Sequence, residues 1–281
     1  MTKIIEKSSE IIKYVQDARR DGAIIAFVPT MGAFHEGHLS LMRRARKDAD
    51  KVIISVFVNP LQFSAGEDFD RYPRQLDLDM KLAESEQADI LFVPTVAEIY
   101  PKGFATYIDQ QDLPEKLCGA FRPGHFRGVM TVVAKLFNVV RPDIAYFGQK
   151  DYQQALIIRR MVTDLNFNIL IKILPTIREE DGLAMSSRNV YLGPKQRKDA
   201  TLIYKALKKA DELIANGENS APKVIKEMAK MIKKIKGVKI DYVSIVNQDT
   251  LEAIREIKGK TLIAVAVRVG KARLIDNIFI N

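Results

Sequence analysis

Residues 23–38 read AIIAFVPTMGAFHEGH, and this stretch decides the fold. Its first six residues are apolar, rich in β-branched and aromatic side chains and free of charge, which is typical of a buried strand. Gly32 then allows a tight turn and lets a ligand approach the backbone closely. A helix is predicted to begin at Gly37 and to continue over residues 38–49. The stretch therefore predicts a strand, a turn and a helix of an α/β sheet.

The same unit recurs along the chain. Further buried strands are predicted at residues 52–58, 90–93, 144–147 and 169–174. Helical patterns separate or follow them at residues 76–87, 129–139 and 151–165. Such alternation implies right-handed crossovers between parallel strands. The predicted fold class is therefore α/β, with a Rossmann-like doubly wound parallel sheet.

The pattern changes near residue 190. Residues 195–216 and 222–236 have the periodicity of two amphipathic helices, and three strands are predicted after them, at residues 238–246, 261–269 and 273–280. Helices followed by strands are typical of a small α+β unit. We therefore expect two domains, residues 1–184 and a smaller C-terminal α+β domain of residues 185–281.

Length and composition agree with two soluble domains. At about 150 residues per domain, 281 residues correspond to roughly two. Apolar residues make up 47% and charged residues 28%, which argues against disorder. The single cysteine, Cys118, excludes an internal disulfide framework and a cysteine-rich metal site. The charged N-terminus is not a signal peptide and no apolar run reaches 18 residues, so the cytoplasm is expected.

The net charge of +9 is unevenly distributed. Residues 1–194 hold 25 basic and 25 acidic residues, whereas residues 195–281 hold 19 basic and 10 acidic residues. A basic excess suggests an anionic partner: nucleic acid, a membrane surface or a phosphate substrate. Because the whole excess lies in the C-terminal part, it is better explained as the solvated face of the small domain.

Two of the three histidines, His35 and His38, lie where the first helix is predicted to start. A helix N-terminus presents free N–H groups and partial positive charge, which suits phosphate. Two imidazoles three residues apart would face the same anion and stabilise charge on a leaving pyrophosphate. Two alternatives stay open: a pair of core histidines bonded to the backbone, and a zinc site, for which no third ligand of suitable spacing is evident.

Two further segments are candidate phosphate ligands. Lys150 can place a positive charge on a phosphate, and Asp151 lies where it would cap the next helix. Ser186, Ser187 and Arg188 would form a phosphate clamp in a loop that closes on binding. The alternatives are a solvated lysine, a simple helix cap and a polar turn between domains.

Polar side chains also follow the second strand and precede an apolar helix. Asn59 and Gln62 are expected at the carboxyl edge of the sheet, where ligands of open α/β folds bind. Their amides suit the hydroxyls and carboxylates of a small polar molecule. Arg122, His125 and Arg127 lie in a predicted loop. The alternatives are a turn at Asn59 and a solvated loop for the arginines.

Five segments together resemble the pantoate–β-alanine ligase (pantothenate synthetase) family. They are PTMGAFHEGH (29–38), FVNPLQF (57–63), RPGHFRGV (122–129), FGQKDYQQ (147–154) and TIREEDGLAMSSRN (176–189). H-x-G-H alone is shared with many nucleotidyltransferases and class I aminoacyl-tRNA synthetases, but the five segments in this order are very specific. Phe34 and Gln149 occupy positions that the family varies. The length and the small C-terminal domain also match, so the resemblance covers essentially the whole chain.

The resemblance implies a reaction. ATP and (R)-pantoate would give pantoyl adenylate and pyrophosphate, and the amine of β-alanine would then displace AMP to give pantothenate. Mg²⁺ would be held mainly by the ATP phosphates, with no fixed metal site on the protein. The resemblance also implies a homodimer, with no nucleic acid and no membrane as partners. The C-terminal domain would act as a lid, with residues 186–190 on its hinge side.

The resemblance also assigns roles to residues. The catalytic set would be His38 as the acid, His35, Lys150, Ser187 and Arg188. ATP would be bound by Met31, Gly32, Ala33, Phe34, His35, Glu36, Gly37, His38, Gly148, Gln149, Lys150, Asp151, Ile177 (through its backbone, to adenine), Met185, Ser186, Ser187 and Arg188. The other substrates would be bound by Gln62 and Gln154, which would hold pantoate, with Asn59 and His125 nearby.

Two other functions are weighed against this ligase. The first is a nucleic-acid-dependent nucleotidyltransferase, because H-x-G-H is shared and the C-terminal part is basic; steep salt dependence of RNA binding would support it. The second is a basic binding module with an inert Rossmann-like domain, which would bind nucleotide without turnover. The chain lacks an added RNA-binding module, and its lysines are spread along helix surfaces, so the ligase is preferred.

Overall fold

A parallel sheet of six strands organises the larger part of the molecule. The computed structural model describes residues 1–64 and 66–280. The strands are β1 (Lys3–Ile5), β2 (Ile25–Thr30), β3 (Lys51–Val56), β4 (Ile90–Phe92), β5 (Ile144–Gly148) and β6 (Leu170–Leu174). Their order is β1-β4-β3-β2-β5-β6, and every pair is parallel. The predicted Rossmann-like α/β class is confirmed.

Helices cover both faces of this sheet. They are α1 (Ser8–Arg20), α2 (Glu36–Asp48), α3 (Leu76–Ser85), α4 (Val96–Ile99), α5 (His125–Val140) and α6 (Tyr152–Asp164). Strand β2 shows why its sequence is apolar throughout: Ile25 and Phe27 belong to one core, and Ala26 and Val28 to the core on the opposite face. Alternate residues of a strand point to opposite faces, so a strand covered on both sides is apolar at every position.

The sheet opens between β2 and β5. These strands pair only through Ala26 with Ile144 and Phe27 with Ala145, near their amino ends. Chain order also reverses here, because β3 and β4 lie to one side of β2 while β5 and β6 lie to the other. A cleft at the carboxyl ends of strands, at such a reversal, is where ligands bind in open α/β sheets.

The C-terminal part forms a second layer with its own core. It contains helices α7 (Pro194–Ala200), α8 (Leu202–Ala215) and α9 (Ala221–Ile232) and an antiparallel sheet of β7 (Lys239–Asn247), β8 (Thr261–Val269) and β9 (Ala272–Ile280). Strand β8 is apolar on both of its faces for two reasons: Ile263 and Val265 pack against its helices, while Leu262 and Ala264 join the core of the larger part. The boundary at residue 184 stays a prediction.

Two helix predictions for the C-terminal part are wrong in detail. Residues 195–216 form two helices, because the Thr201 hydroxyl bonds the Lys198 carbonyl at 2.8 Å and the backbone tightens there. Side-chain bonds of this kind compete with the helical ladder. The helix predicted over residues 222–236 ends at Ile232, since the amides of Lys234 and Ile235 bond three residues back rather than four. Such tightening is common at helix ends.

Other differences lie near the N-terminus and at the starts of helices. Strand β1 and helix α1 were not predicted, although Ile11, Val15 and Ala18 make a buried stripe at helical spacing. Helix α2 begins at Glu36, one residue before its predicted start. Helix α5 begins at His125, four residues before its predicted start, so His125 lies in a helix and not in the predicted loop. Among the described residues, no helix has the length and hydropathy needed to cross a bilayer.

Candidate active site

A cavity of about 210 Å³ lies at the carboxyl edge of the sheet, in the cleft between β2 and β5. We call it the main cavity. Most of the predicted site residues line it: Met31, His35, Gly37, His38, Asn59, Gln62, Gly148, Lys150, Asp151, Gln154, Ile177, Met185, Ser186, Ser187 and Arg188. The others, Gly32, Ala33, Phe34, Glu36, Gln149 and His125, are not on its wall. The fold therefore gathers four segments that are far apart in sequence.

The two histidines form a reciprocal cap at the start of α2. His35 Nδ1 accepts from the Gly37 amide at 3.1 Å, and His38 Nδ1 accepts from the His35 amide at 3.3 Å. The rings stack with centroids 4.2 Å apart. A neutral imidazole that accepts at Nδ1 carries its proton on Nε2. Each histidine is therefore set to act as an Nε2–H donor toward the main cavity.

Both histidines are held neutral. Burial, with Lys150 adding to it, lowers the pKa of His35 from 6.5 to about 4. Burial also places the pKa of His38 well below its ordinary value, with His35 and Lys150 acting in the same direction. The charged form is disfavoured because desolvation and nearby cations both oppose a further positive charge. At neutral pH the pair consists of two uncharged donors.

Asp79 of α3 anchors the loop that leads to these histidines. Its carboxylate accepts from the Ala33 amide at 2.9 Å and the Phe34 amide at 2.7 Å. Gly32 and Ala33 have φ of +83° and +53°, and a Cβ on Gly32 would lie 2.9 Å from the Asp79 carboxylate. Left-handed backbone at a non-glycine residue costs about 1–2 kcal/mol, so it needs such support. Asp79 is only 1% exposed, and burial raises its pKa.

Replacing Asp79 with asparagine is expected to raise the KM for ATP about tenfold and to destabilise the fold by about 1–3 kcal/mol. The new amide turns one N–H toward a backbone N–H and leaves a buried donor unpaired. Steady-state kinetics and denaturant unfolding measure both effects. Asp77, exposed on the same helix, gives the matched control Asp77→Asn, which should change neither quantity. Equal behaviour of the two variants would contradict the anchoring role.

Gln62 is held by a buried amide network. Asn59 Nδ2 donates to Gln62 Oε1 and to the Gly128 carbonyl, both at 3.1 Å. Asn59 Oδ1 accepts from the Leu61 amide at 3.3 Å and from the Tyr100 hydroxyl at 2.8 Å. The side-chain amide of Asn59 thus uses both of its N–H groups and both acceptor positions of its oxygen within the protein. The residue is also only 1% exposed. Its side chain is thus occupied in positioning Gln62, which lines the same cavity.

His125 supports the same loop from the other side. Its Nδ1 lies 2.8 Å from the Gln62 carbonyl and its Nε2 lies 2.8 Å from Arg122 Nη1. Since arginine only donates, the ring proton is on Nδ1 and points to the carbonyl. Arg122 is in turn paired with Glu67 at 2.6 Å. Burial and Arg122 lower the pKa of His125 to about 3, so this network stays neutral at the imidazole.

The serine–arginine segment, residues 186–188, contacts residues that precede α3. Arg188 makes a double ion pair with Asp68 at 2.8 and 2.9 Å, and Ser187 Oγ lies 3.0 Å from the Tyr72 hydroxyl. Ser187 to Tyr191 form a short 3₁₀ helix rather than an open loop. The segment is therefore already held in place on the wall of the main cavity.

The predicted position of Asp151 at the start of the next helix is confirmed, but its side chain does not cap that helix. Asp151 occupies the cap position of α6, but its side chain makes no cap hydrogen bond. Its carboxylate instead lies 3.5 Å from Lys150 Nζ. Burial acts to raise the pKa of Asp151, but Lys150 and Arg188 outweigh it and the pKa is lowered. The carboxylate is charged and faces the cavity.

Sequence reasoning missed several residues that act through the predicted ones. Asp79, Asp68 and Tyr72 carry no motif, and their partners are 45 or more residues away. Asp79 had one usable signal, since it falls on the buried stripe of α3 with Ala83. A carboxylate on the core face of a helix requires hydrogen-bond partners there.

Comparison with known proteins places the chain among enzymes. A sequence profile of pantoate-β-alanine ligases matches residues 3–279. The chain belongs to the pantoate–β-alanine ligase family. It is 52% identical over 279 residues to pantothenate synthetase of Acetivibrio thermocellus, covering 99% of each chain. The family, the enzyme class and pantothenate synthesis, predicted from five motifs, are confirmed.

Two solved structures of this family have the same fold. Pantothenate synthetase of Thermus thermophilus superposes with a TM-score of 0.92, at 44% identity and 99% coverage of both chains. Pantoate-β-alanine ligase of Francisella tularensis, solved in complex with beta-gamma ATP and β-alanine, gives a TM-score of 0.81, at 33% identity over 99% of this chain and 97% of that one. The family's fold therefore extends over essentially the whole chain.

Proposed function

We propose that the enzyme binds ATP and (R)-pantoate together in the main cavity and joins them as pantoyl adenylate. One observation carries this proposal: two neutral histidines at a helix N-terminus share a wall with Lys150 and Arg188. Helix N-termini and fixed cations stabilise the negative charge of phosphates. The Francisella relative binds ATP and β-alanine, which supports the same use of this cavity.

The triphosphate would lie between α2 and the serine–arginine segment. His35 and His38 supply Nε2–H donors, and Lys150 and Arg188 supply charge. Arg188 would exchange one bond of its double ion pair with Asp68 for a bond to phosphate oxygens. Nucleotide binding would therefore change the contact between the serine–arginine segment and Asp68. Adenine would lie near Ile177, whose carbonyl accepts from the Met185 amide at 3.0 Å.

Pantoate would lie against Gln62 and Gln154. Both side chains line the main cavity, and a primary amide both donates and accepts, which suits a substrate with two hydroxyls and a carboxylate. Asn59 and His125 act through Gln62, since their polar atoms are bonded within the protein. They are positioning residues in this proposal.

The first step is attack of a pantoate carboxylate oxygen on the α-phosphorus of ATP. The bond from that phosphorus to the bridging oxygen breaks, and pyrophosphate leaves. His35 and His38 would stabilise the developing charge as neutral hydrogen-bond donors, a role worth about 10²–10³ in rate for one donor. Because the pKa values of both are lowered, a protonated acid is not required of His38.

Mg²⁺ would enter with the nucleotide and neutralise phosphate charge. Among residues 1–64 and 66–280, no group of three or more His, Cys, Asp or Glu is arranged to hold a metal. Asp151 is the cavity carboxylate whose charged oxygens suit a hard cation, since Mg²⁺ prefers few protein ligands and phosphate oxygens. Lys150 would then contact the phosphates directly, and Asp151 would contact the Mg²⁺ that they hold.

In the second step the amine of β-alanine attacks the acyl carbon of pantoyl adenylate. A C–N bond forms, the C–O bond to the phosphate breaks, and the amine loses a proton as AMP leaves. The acyl adenylate hydrolyses if water reaches it. The contact of Ser187 with Tyr72, and the one bond that Arg188 keeps to Asp68, would close the mouth of the cavity.

Pyrophosphate exchange tests the proposal directly. Labelled pyrophosphate should enter ATP only when pantoate is present, without β-alanine, because the adenylate forms reversibly from these two substrates. Exchange without pantoate, or no exchange with it, would contradict the adenylate step. Steep salt-dependent RNA binding with no exchange would favour a nucleotidyltransferase instead.

A further inference from the structure

A second cavity, of about 140 Å³, lies between the larger part of the molecule and the small antiparallel sheet. We call it the lid cavity. Its walls include Arg268, Lys271 and Arg273 from the strands β8 and β9 and the turn between them, and Arg71 from the opposite side. None of these four cations belongs to the motifs from which the main site was predicted.

The lid cavity and the main cavity share a wall. Lys150, Ser186 and Arg188 line both of them. Lys150 and Arg188 are the cations that the proposed function places on the phosphates of ATP, and Asp151 and Gln154 line both cavities as well. An anion released from that position therefore has the lid cavity as its neighbour.

The carboxylates around the lid cavity are already paired. Glu67 contacts Arg122 at 2.6 Å, and Asp68 contacts Arg188 at 2.8 Å. Asp276 contacts Arg178 at 2.6 Å, and Asp151 lies 3.5 Å from Lys150. Each of these ion pairs has no net charge. The net charge of the lid cavity is therefore set by its other cations.

Those other cations are not balanced. Arg268 and Arg273 share the single carboxylate of Asp241, at 3.2 and 2.8 Å. Arg273 Nη2 is buried and has no hydrogen-bond partner within the described part of the chain. Within residues 1–64 and 66–280, neither Lys271 nor Arg71 makes an ion pair. The cavity therefore carries a surplus of about three positive charges, which favours a small polyanion.

We propose that the lid cavity is a transit site for the pyrophosphate that leaves in the adenylation step. This inference rests on the proposed function. Pyrophosphate carries several negative charges, as the surplus requires, and it starts at the shared wall. β-Alanine fits less well, because its ammonium group would be repelled by the same cations. Removal of pyrophosphate into a separate cavity would leave the acyl adenylate in place for the amine.

Lys271 offers the cleanest test because it is exposed in the turn between β8 and β9. Pantoate-dependent exchange is measured against the concentration of inorganic pyrophosphate, at saturating ATP and pantoate. Lys271→Ala is expected to raise the KM for pyrophosphate about threefold and Lys271→Glu about tenfold or more, with smaller effects at high salt. The control is Lys234→Ala, exposed on the same domain and not on the cavity wall, which should match the unmodified enzyme.

The other substrates distinguish the outcomes. The KM values for ATP and pantoate should change less than about twofold in the Lys271 variants. A raised KM for β-alanine with an unchanged KM for pyrophosphate would overturn the proposal and assign the cavity to the amine substrate's carboxylate. Unchanged values for both would overturn it as well. Absence of exchange in the unmodified enzyme would instead contradict the adenylate step itself.

Discussion

Replacing His38 with alanine is expected to slow pantoate-dependent pyrophosphate exchange by about two to four orders of magnitude. The substitution removes a half-buried Nε2–H donor and also the acceptor that caps the His35 amide. His35 then loses its stacked neighbour, whose ring centroid lies 4.2 Å away. The exchange assay isolates the first step, so the loss should appear there in full.

Glutamine at position 38 distinguishes two roles for this side chain. Its amide N–H can reach the region of the imidazole Nε2–H but cannot deliver a proton as an acid. If the neutral donor is what matters, His38→Gln should recover at least about tenfold over His38→Ala. Equal rates for the two variants would favour proton transfer. Lys47→Ala, at the exposed C-terminal end of the same helix, is the control and should retain the full rate.

The pH profile of exchange gives an independent reading of the same question. With the pKa of His35 lowered to about 4 and that of His38 lowered well below 6.5, both stay neutral from about pH 5.5 to 8. The rate should be flat there with respect to these groups. It should fall as the pH drops toward about 4, because protonated Nδ1 atoms can no longer accept the capping amides. A fall as the pH rises through 6.5 would indicate an acid with an ordinary pKa.

The sequence predicted the main cavity well because its residues follow strands. In a parallel sheet the carboxyl ends of all strands share one edge, so His38, Gln62, Lys150 and Gln154 had to meet once β2, β3 and β5 were found. Strand periodicity and glycine placement are local signals, so they can be recognised without knowing which distant residues each segment contacts. This is why most of the predicted nucleotide and pantoate residues line one cavity.

What the sequence could not supply is the network behind those residues. Asp79 bonds amides 45 and 46 residues away, and Arg122 meets Glu67 across 55 residues. No local pattern encodes such partners, because each depends on how two loops pack. The break at Thr201 was missed for a related reason: the periodicity of α7 and α8 is nearly continuous, and one hydroxyl decides where it stops.

Gly128→Ala is expected to raise the KM for pantoate by at least about tenfold and to destabilise the fold by about 1–3 kcal/mol. Gly128 lies inside α5, where alanine ordinarily stabilises a helix by about 1 kcal/mol. Here a Cβ would overlap the Leu61 carbonyl and lie 2.7 Å from the Gln62 amide nitrogen. The helix and the loop touch backbone to backbone, so the loop must move.

Movement of that loop carries the substrate side chain with it. Gln62 is tied to Asn59 at 3.1 Å, and Asn59 donates to the Gly128 carbonyl at the same distance. A displacement at Gly128 therefore reaches Gln62 through both the backbone and the amide network. Kinetics with varied pantoate and varied ATP separate the effects, since the KM for ATP should change much less. Gly193→Ala, where the new Cβ meets only Gln196 at 3.8 Å, is the matched control. A stabilised Gly128→Ala variant with an unchanged KM for pantoate would show that the loop yields without moving Gln62.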